Sequence, residues 1–159
     1  MASTVSAANL KVKITEEIIL NGRDQGGTTE LTICSINEIS KRIVTITTTE
    51  STIATFSAAV ASAGHYVAAD VRYIRLTNKD DTNFITLTFR NQDNDEAAIK
   101  LDAGQSFIWN GDNANGMTAV LNATEDADAA SSTNFGSLTN IQADADTASC
   151  DLEVFIASA

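Results

Sequence analysis

Val71-Arg72-Tyr73-Ile74-Arg75-Leu76, Asn78-Lys79-Asp80-Asp81 and Phe84-Ile85-Thr86-Leu87-Thr88-Phe89 decide how this chain folds. In the third segment Ile85, Leu87 and Phe89 share one face and Thr86 and Thr88 the other, because successive side chains of an extended chain point to opposite sides. The first segment is equally rich in β-branched and aromatic residues. The Asn-Lys-Asp-Asp run between them carries the side chains that close turns on their own backbone. The three together predict a hairpin.

The same alternation extends outward in both directions. Leu10, Val12 and Ile14 interleave with Lys11, Lys13 and Thr15, a half-buried strand over residues 10–20. The glycines at 22, 26 and 27 break it, and Leu31 and Ile33 resume, so a hairpin or loop return is expected. Ser35-Ile36-Asn37-Glu38 has the form of a capping box, and Ile36, Ile39 and Ile43 recur at helical spacing. One short helix is predicted near residues 36–42. Residues 42–49 and 52–56 read as strands, 98–101 and 106–109 as short strands, and 150–156 as a last strand. Between 110 and 149 only residues 117–122 read as strand, and the remainder as a long acidic, Ser-rich loop. About eight or nine short strands without αβ alternation predict an all-β, single-domain β-sandwich over residues 1–159, jelly-roll-like in organisation.

Composition agrees. Charged residues make up only 19% of the 159, and Thr, Ser, Asn and Ala stand in their place; Thr is stiff at its first torsion and favours extended backbone. A chain of this length is able to bury roughly 70% of its unfolded surface, sufficient for a core without metals or disulfides. The net charge of -11 is uneven: every Lys and Arg lies between Lys11 and Lys100. Without a basic stripe there is nothing to release counterions from phosphates, so no nucleic acid is expected as partner. No apolar run of about 18 residues is present, so no membrane helix is expected. The first residues lack the order of a secretion signal, and the chain is expected to be made and used without crossing a membrane.

Side chains fit for chemistry are scattered. His65 is the one histidine, with no serine elbow or cysteine motif near it. Cys34 and Cys150 are far apart and read as buried free thiols. The acids at 125–128 and 144–146 lie in Ala- and Ser-rich sequence and read as solvated surface. Residues 93–96 and 112–116 hold oxygen ligands suited to calcium, but neither fits an EF-hand spacing. Asn122-Ala123-Thr124 matches a glycosylation acceptor only formally. The expectation is therefore no enzyme, no cofactor and no metal. Trp109 closes a strand with Phe107 and reads as a core or interface aromatic. Arg72, Arg75, Arg90 and Lys100 lie on or beside the central strands of an otherwise acidic chain, and Arg is enriched at protein interfaces. With Tyr73 and Trp109 they form the expected protein-binding set. The absence of proline, which usually protects sheet edges, points to edges covered by neighbours.

Three segments, VRYIRLTNKDDTNFITLTF at 71–89, KLDAGQSFIW at 100–109 and DLEVFIAS at 151–158, together resemble small virion proteins of tailed bacteriophages, including marine and cyanobacterial phages, of the kind that decorate or cement the capsid. The resemblance implies a β-sandwich made in the host cytoplasm and bound to the capsid surface, with the major capsid protein and neighbouring copies of itself as partners in a homo-oligomeric arrangement. A tail or head-to-tail component carries the same signature. Apart from the resemblance, a carbohydrate- or receptor-binding sandwich with a calcium-supported loop is the alternative reading.

Overall fold

Alternate aliphatic positions build two facing sheets in the computed structural model of the chain, which describes residues 5–111, 116–118 and 137–159. All its regular elements are strands. A projecting arm comes first: β1 (Ala8–Glu16) pairs antiparallel with β4 (Gly27–Ile36), and the short pair β2 (Ile19–Leu20) and β3 (Arg23–Asp24) forms its tip. Gly26 is fixed at the tip because a Cβ there would collide with the backbone carbonyl oxygen of Glu16.

The body follows. A four-stranded sheet has the order β11 (Ser106–Asn110), β8 (Val71–Asn78), β13 (Cys150–Ser158), β5 (Glu38–Ile46). A five-stranded sheet has the order β10 (Glu96–Leu101), β9 (Ile85–Asn91), β12 (Leu138–Ala145), β6 (Ser51–Ser57), β7 (His65–Val67). All pairings are antiparallel except β6 with β7. Ile74, Leu76, Leu152 and Val154 from the first sheet meet Ile85, Leu87, Ile141 and Ala143 from the second in one core, all of them fully buried. Fully burying one such aliphatic side chain is worth about 1.5–3 kcal/mol, so this shared layer holds the two sheets together.

Three expectations change. Residues 36–42 are not helical: Ile36 ends β4, Ser35 turns in the left-handed region at φ 63°, and β5 runs on from Glu38. Ile39 and Ile43 stay exposed while Ile46 is buried, and β5 gains nine paired positions with β13. Ladder pairing plus burial on a period of two outweighs one local capping pattern. Next, β8 and β9 exist as read but form no hairpin with each other. They lie in opposite sheets, and the turn between them crosses the sandwich. Both strands thereby present their apolar face to the same core from opposite sides, which pairing in one sheet would also allow locally but the long-range partners β13 and β12 decide.

The third correction is β12. Residues 138–145 lie inside the span read as loop, yet this strand is the centre of the five-stranded sheet, hydrogen-bonded to β9 on one side and β6 on the other. Its inward positions are Leu138, Ile141, Ala143 and Ala145, and small side chains suffice where the opposite sheet supplies bulk. Of the strand read at 117–122, Met117 is fully buried in the core and donates its backbone N–H to the carbonyl of Ala68 at 2.7 Å. Thr118 is exposed, and residues 119–122, with the acids at 125–128 and residues 112–115, lie outside the described residues.

Candidate interface

On the outer face of the four-stranded sheet the strand register sets side chains in rows. Ile39, Ala157, Tyr73 and Asn110 form one row; Lys41, Phe155, Arg75 and Ile108 the next; Ile43, Glu153, Thr77 and Ser106 a third. Arg75 is the hub. It donates to Glu153 at 2.5 Å and to the Thr77 hydroxyl at 2.7 Å, and lies over the Phe155 ring at 5.8 Å. Lys41 adds a longer contact to Glu153 at 3.6 Å. The hydrogen bond from Arg75 holds the Glu153 carboxyl below its ordinary range, burial opposing and the charges of Arg75 and Lys41 assisting.

The base of the arm closes over the first row. Ile33 and Ile36 from β4 pack with Tyr73 and Ala157, and Leu10, Val12 and Phe155 rest against them. Tyr73 meets Phe155 edge-on at 5.9 Å, and burial raises its hydroxyl pKa above 10.0 against the opposing pull of Arg75. Beyond this seat the arm leaves the body. Ile14, Leu31, Ile18, Ile19 and Leu20 are all exposed, Ile19 at 77%. Between β1 and the sheet lies an open groove of about 280 Å³, lined by Val12, Ile14, Tyr73, Arg75, Ile108 and Phe155. Compared with known families, curated proteins and solved structures, the chain matches none.

Of the interface residues expected from sequence, the structure brings Tyr73 and Arg75 together and places the others elsewhere. Arg72 is the second residue of β8 and donates to the Ala69 carbonyl at 2.6 Å. Arg90 and Lys100 lie on the outside of the five-stranded sheet, Arg90 bound to Glu96 and Lys100 2.7 Å from Asp102 and above the Phe84 ring. Trp109 points inward, edge-on to Phe89 at 5.3 Å. The acids at 93–96 serve the β9–β10 turn: Asn91 accepts from the N–H groups of Asp93 and Asp95 and donates to the Asp95 carboxylate, while Glu96 takes Arg90. No cluster of three metal-ligating side chains occurs among the described residues. His65 is half-buried at the β7 edge. Beside it Arg42 reaches from β5 to donate to the Ile53 carbonyl. Cys150 is buried, with its thiol pKa raised by burial and by Asp80, whereas Cys34 on the arm is exposed. The exposed aliphatic tip at 18–20 was the feature sequence reading missed; three consecutive apolar residues just before a glycine turn, on a strand that already has its inward face filled, were the available signal.

Proposed function

We infer that the chain is a structural protein of a virion, binding the exterior of an assembled capsid as a cement or decoration protein and stabilising the shell, without catalysis. The observation that carries this reading is the arm: a two-sheet body presents a β-hairpin whose distal half leaves Ile14, Ile18, Ile19, Leu20 and Leu31 in water. An isolated two-stranded ribbon is marginal in stability, and exposed apolar surface of this extent marks contact with other protein. Binding that is specific for the assembled state raises particle stability by mass action over many sites.

The strand order supports a jelly roll. Setting aside the arm and the three-residue β7, the eight remaining strands in chain order run first-eighth-third-sixth in one sheet and second-seventh-fourth-fifth in the other. That is the interlocked pair of Greek keys found in viral capsid proteins and in lectins. Because architecture alone does not fix function, a sugar-binding role is the second reading, and a specific observation favours it. The outside of the five-stranded sheet carries a polar ladder, with the buried Oδ1 of Asn140 and Oε1 of Gln142 lacking partners among the described residues. A tail or head-to-tail location remains the other variant of the virion reading.

Immunogold labelling of purified virus particles with antibody to the chain should place gold over the shell. Gold confined to tails moves the assignment to a tail component, and unlabelled particles that bind none of the added chain would overturn the virion reading. A glycan array with and without chelator tests the sugar reading, which a cement protein leaves blank.

A further inference from the structure

We propose that two copies of this chain pair through the free edge of β1, antiparallel and about a two-fold axis at Ile14, to give a four-stranded ribbon β4-β1-β1-β4 across the dimer. In the described structure β1 is hydrogen-bonded only to β4. Its other edge, beside the groove lined by Val12, Ile14, Tyr73 and Arg75, offers a row of backbone donors and acceptors to a further strand.

The sequence of that edge, continued through Glu17 and Ile18 just past the end of β1, is complementary to itself. Folding residues 10–18 back on a second copy with Ile14 at the centre sets Leu10 against Ile18, Lys11 against Glu17 and Lys13 against Thr15. Opposite residues of an antiparallel pair point to the same face. Leu10, Ile14 and Ile18 therefore join one apolar row on the sheet side, and Lys11 meets Glu17 on the solvent side, twice by symmetry. Glu16 of each copy falls beside Val12 of the other, over the groove that Arg75 lines. Within one copy Lys11 lies 3.4 Å from Glu30, an exposed pair that leaves its ammonium free to bridge to a second carboxylate. The tip at 18–20, exposed in the single chain, lies in the dimer over the outer face of the other body. An isologous contact of this type closes on itself and forms no open filament.

The surface named here is one on which the self-association within the virion reading would rest, but the isolated full chain suffices to test it. Failure of the dimer leaves capsid binding untouched, and failure of capsid binding leaves the dimer. Sedimentation velocity over a concentration series should show a monomer–dimer equilibrium. Lys11→Glu or Glu17→Lys alone should raise the dimer midpoint by about tenfold, because each change places like charges opposite at two symmetric sites. The double variant Lys11→Glu/Glu17→Lys should restore it. In a Cys34→Ser background, Ile14→Cys should form a covalent dimer on mild oxidation, since directly opposite Cα atoms lie within disulfide reach, whereas Leu31→Cys on β4 should not. A chain that stays monomeric throughout, a double variant no better than either single one, or cross-linking at Leu31 in preference to Ile14 overturns the pairing.

Discussion

Removing the Tyr73 ring is expected to release the arm while leaving the body folded. Tyr73 is 4% exposed and lies beneath Ile33 and Ile36 of the arm, with Phe155 and Ala157 beside it. An aromatic side chain buries on the order of 150–250 Å². At about 25 cal/mol per Å² this is roughly 4–6 kcal/mol, an upper bound because the unfolded chain also shields some of it. A cost of about 3–5 kcal/mol for Tyr73→Ala follows, in line with large aromatic deletions. Ile33 and Ile36 then lose the ring they pack on, and the further anchors Leu10 and Val12 are only half-buried, too little to hold an otherwise marginal ribbon. Amide exchange in β1 and β4 should therefore accelerate, by roughly a thousandfold for a loss near 4 kcal/mol, while amides of β8, β12 and β13 remain protected. Titration gives a second handle. The tyrosine pKa is raised in the folded chain, so the protonated ring favours docking fully below the ordinary value of 10.0, and that contribution is lost as pH rises through the raised value. Tyr73→Phe should abolish this alkaline loosening and keep the arm docked. Unchanged exchange in β1 and β4 of Tyr73→Ala, or simultaneous loss of protection throughout the body, would refute the separation of arm from body.

Further expectations concern the body. Leu87→Ala, at a fully buried site in the shared core, should lower unfolding free energy by about 2–5 kcal/mol in denaturant titration without altering the arm. Asn78 is fully buried, donating to the carbonyls of Asn83 and Leu101 and accepting from Asp80 N–H; Asn78→Ala should cost about 2–3 kcal/mol by orphaning those groups, measured the same way. Native alkylation should modify the exposed Cys34 rapidly and spare Cys150, whose thiol is kept protonated by burial, with both reacting in denaturant. Because the carboxyl of Glu153 is held below 4.5 chiefly by Arg75, its stabilisation is present above that value and lost as pH falls through the lowered one. Arg75→Gln should return the Glu153 titration, followed by carboxyl NMR, toward its ordinary range.

Strand identity was legible where one face of a segment is consistently apolar, as in Ile85, Leu87 and Phe89, all turned to the core. Sheet membership was not, because a turn that closes a hairpin and a turn that crosses a sandwich use the same residues. The turn after Asn78 has Asp80 accepting from the N–H groups of Thr82 and Asn83, which says nothing about which strand comes to lie beside which. β12 was hidden by its own composition: Asn140, Gln142, Ala143, Asp144 and Ala145 carry no strand signature, and the neighbours on both sides supply what the sequence does not. The capping pattern at Ser35 did mark a break in direction, since that residue is left-handed, but the chain leaves the break as strand. For the same reason the basic residues of neighbouring strands looked like one patch in sequence. Arg75 and Arg90 belong to opposite outer faces, a separation that only the long-range order of strands determines.

The distribution of sheet edges supports placing the proposed contact on the arm. With no proline in the chain, edges need other protection against stray pairing. At the body's edges β7 has three residues and β11 five, both too short to template a long partner. β10 carries Glu96 and Lys100 outward, each engaged by a neighbouring charge. β5 is longer, but Lys41 and Arg42 interrupt its aliphatic positions, and Arg42 bridges to β6. Among the described strands, β1 and β4 combine nine or ten residues and exposed aliphatic side chains with an unpaired edge that no side chain of the body bridges. Of these two, β4 presents Thr28, Thr29 and Thr32 with a single charge, Glu30, whereas β1 carries Lys11 and Lys13 ahead of Glu16, with Glu17 following just past its end. Like-charge repulsion therefore opposes parallel or shifted pairing of β1 with its copy and leaves the antiparallel register about Ile14 as the favoured one. An edge that is long, apolar and open to one register is a site of specific contact; the same edge without its charge pattern would be a site of aggregation.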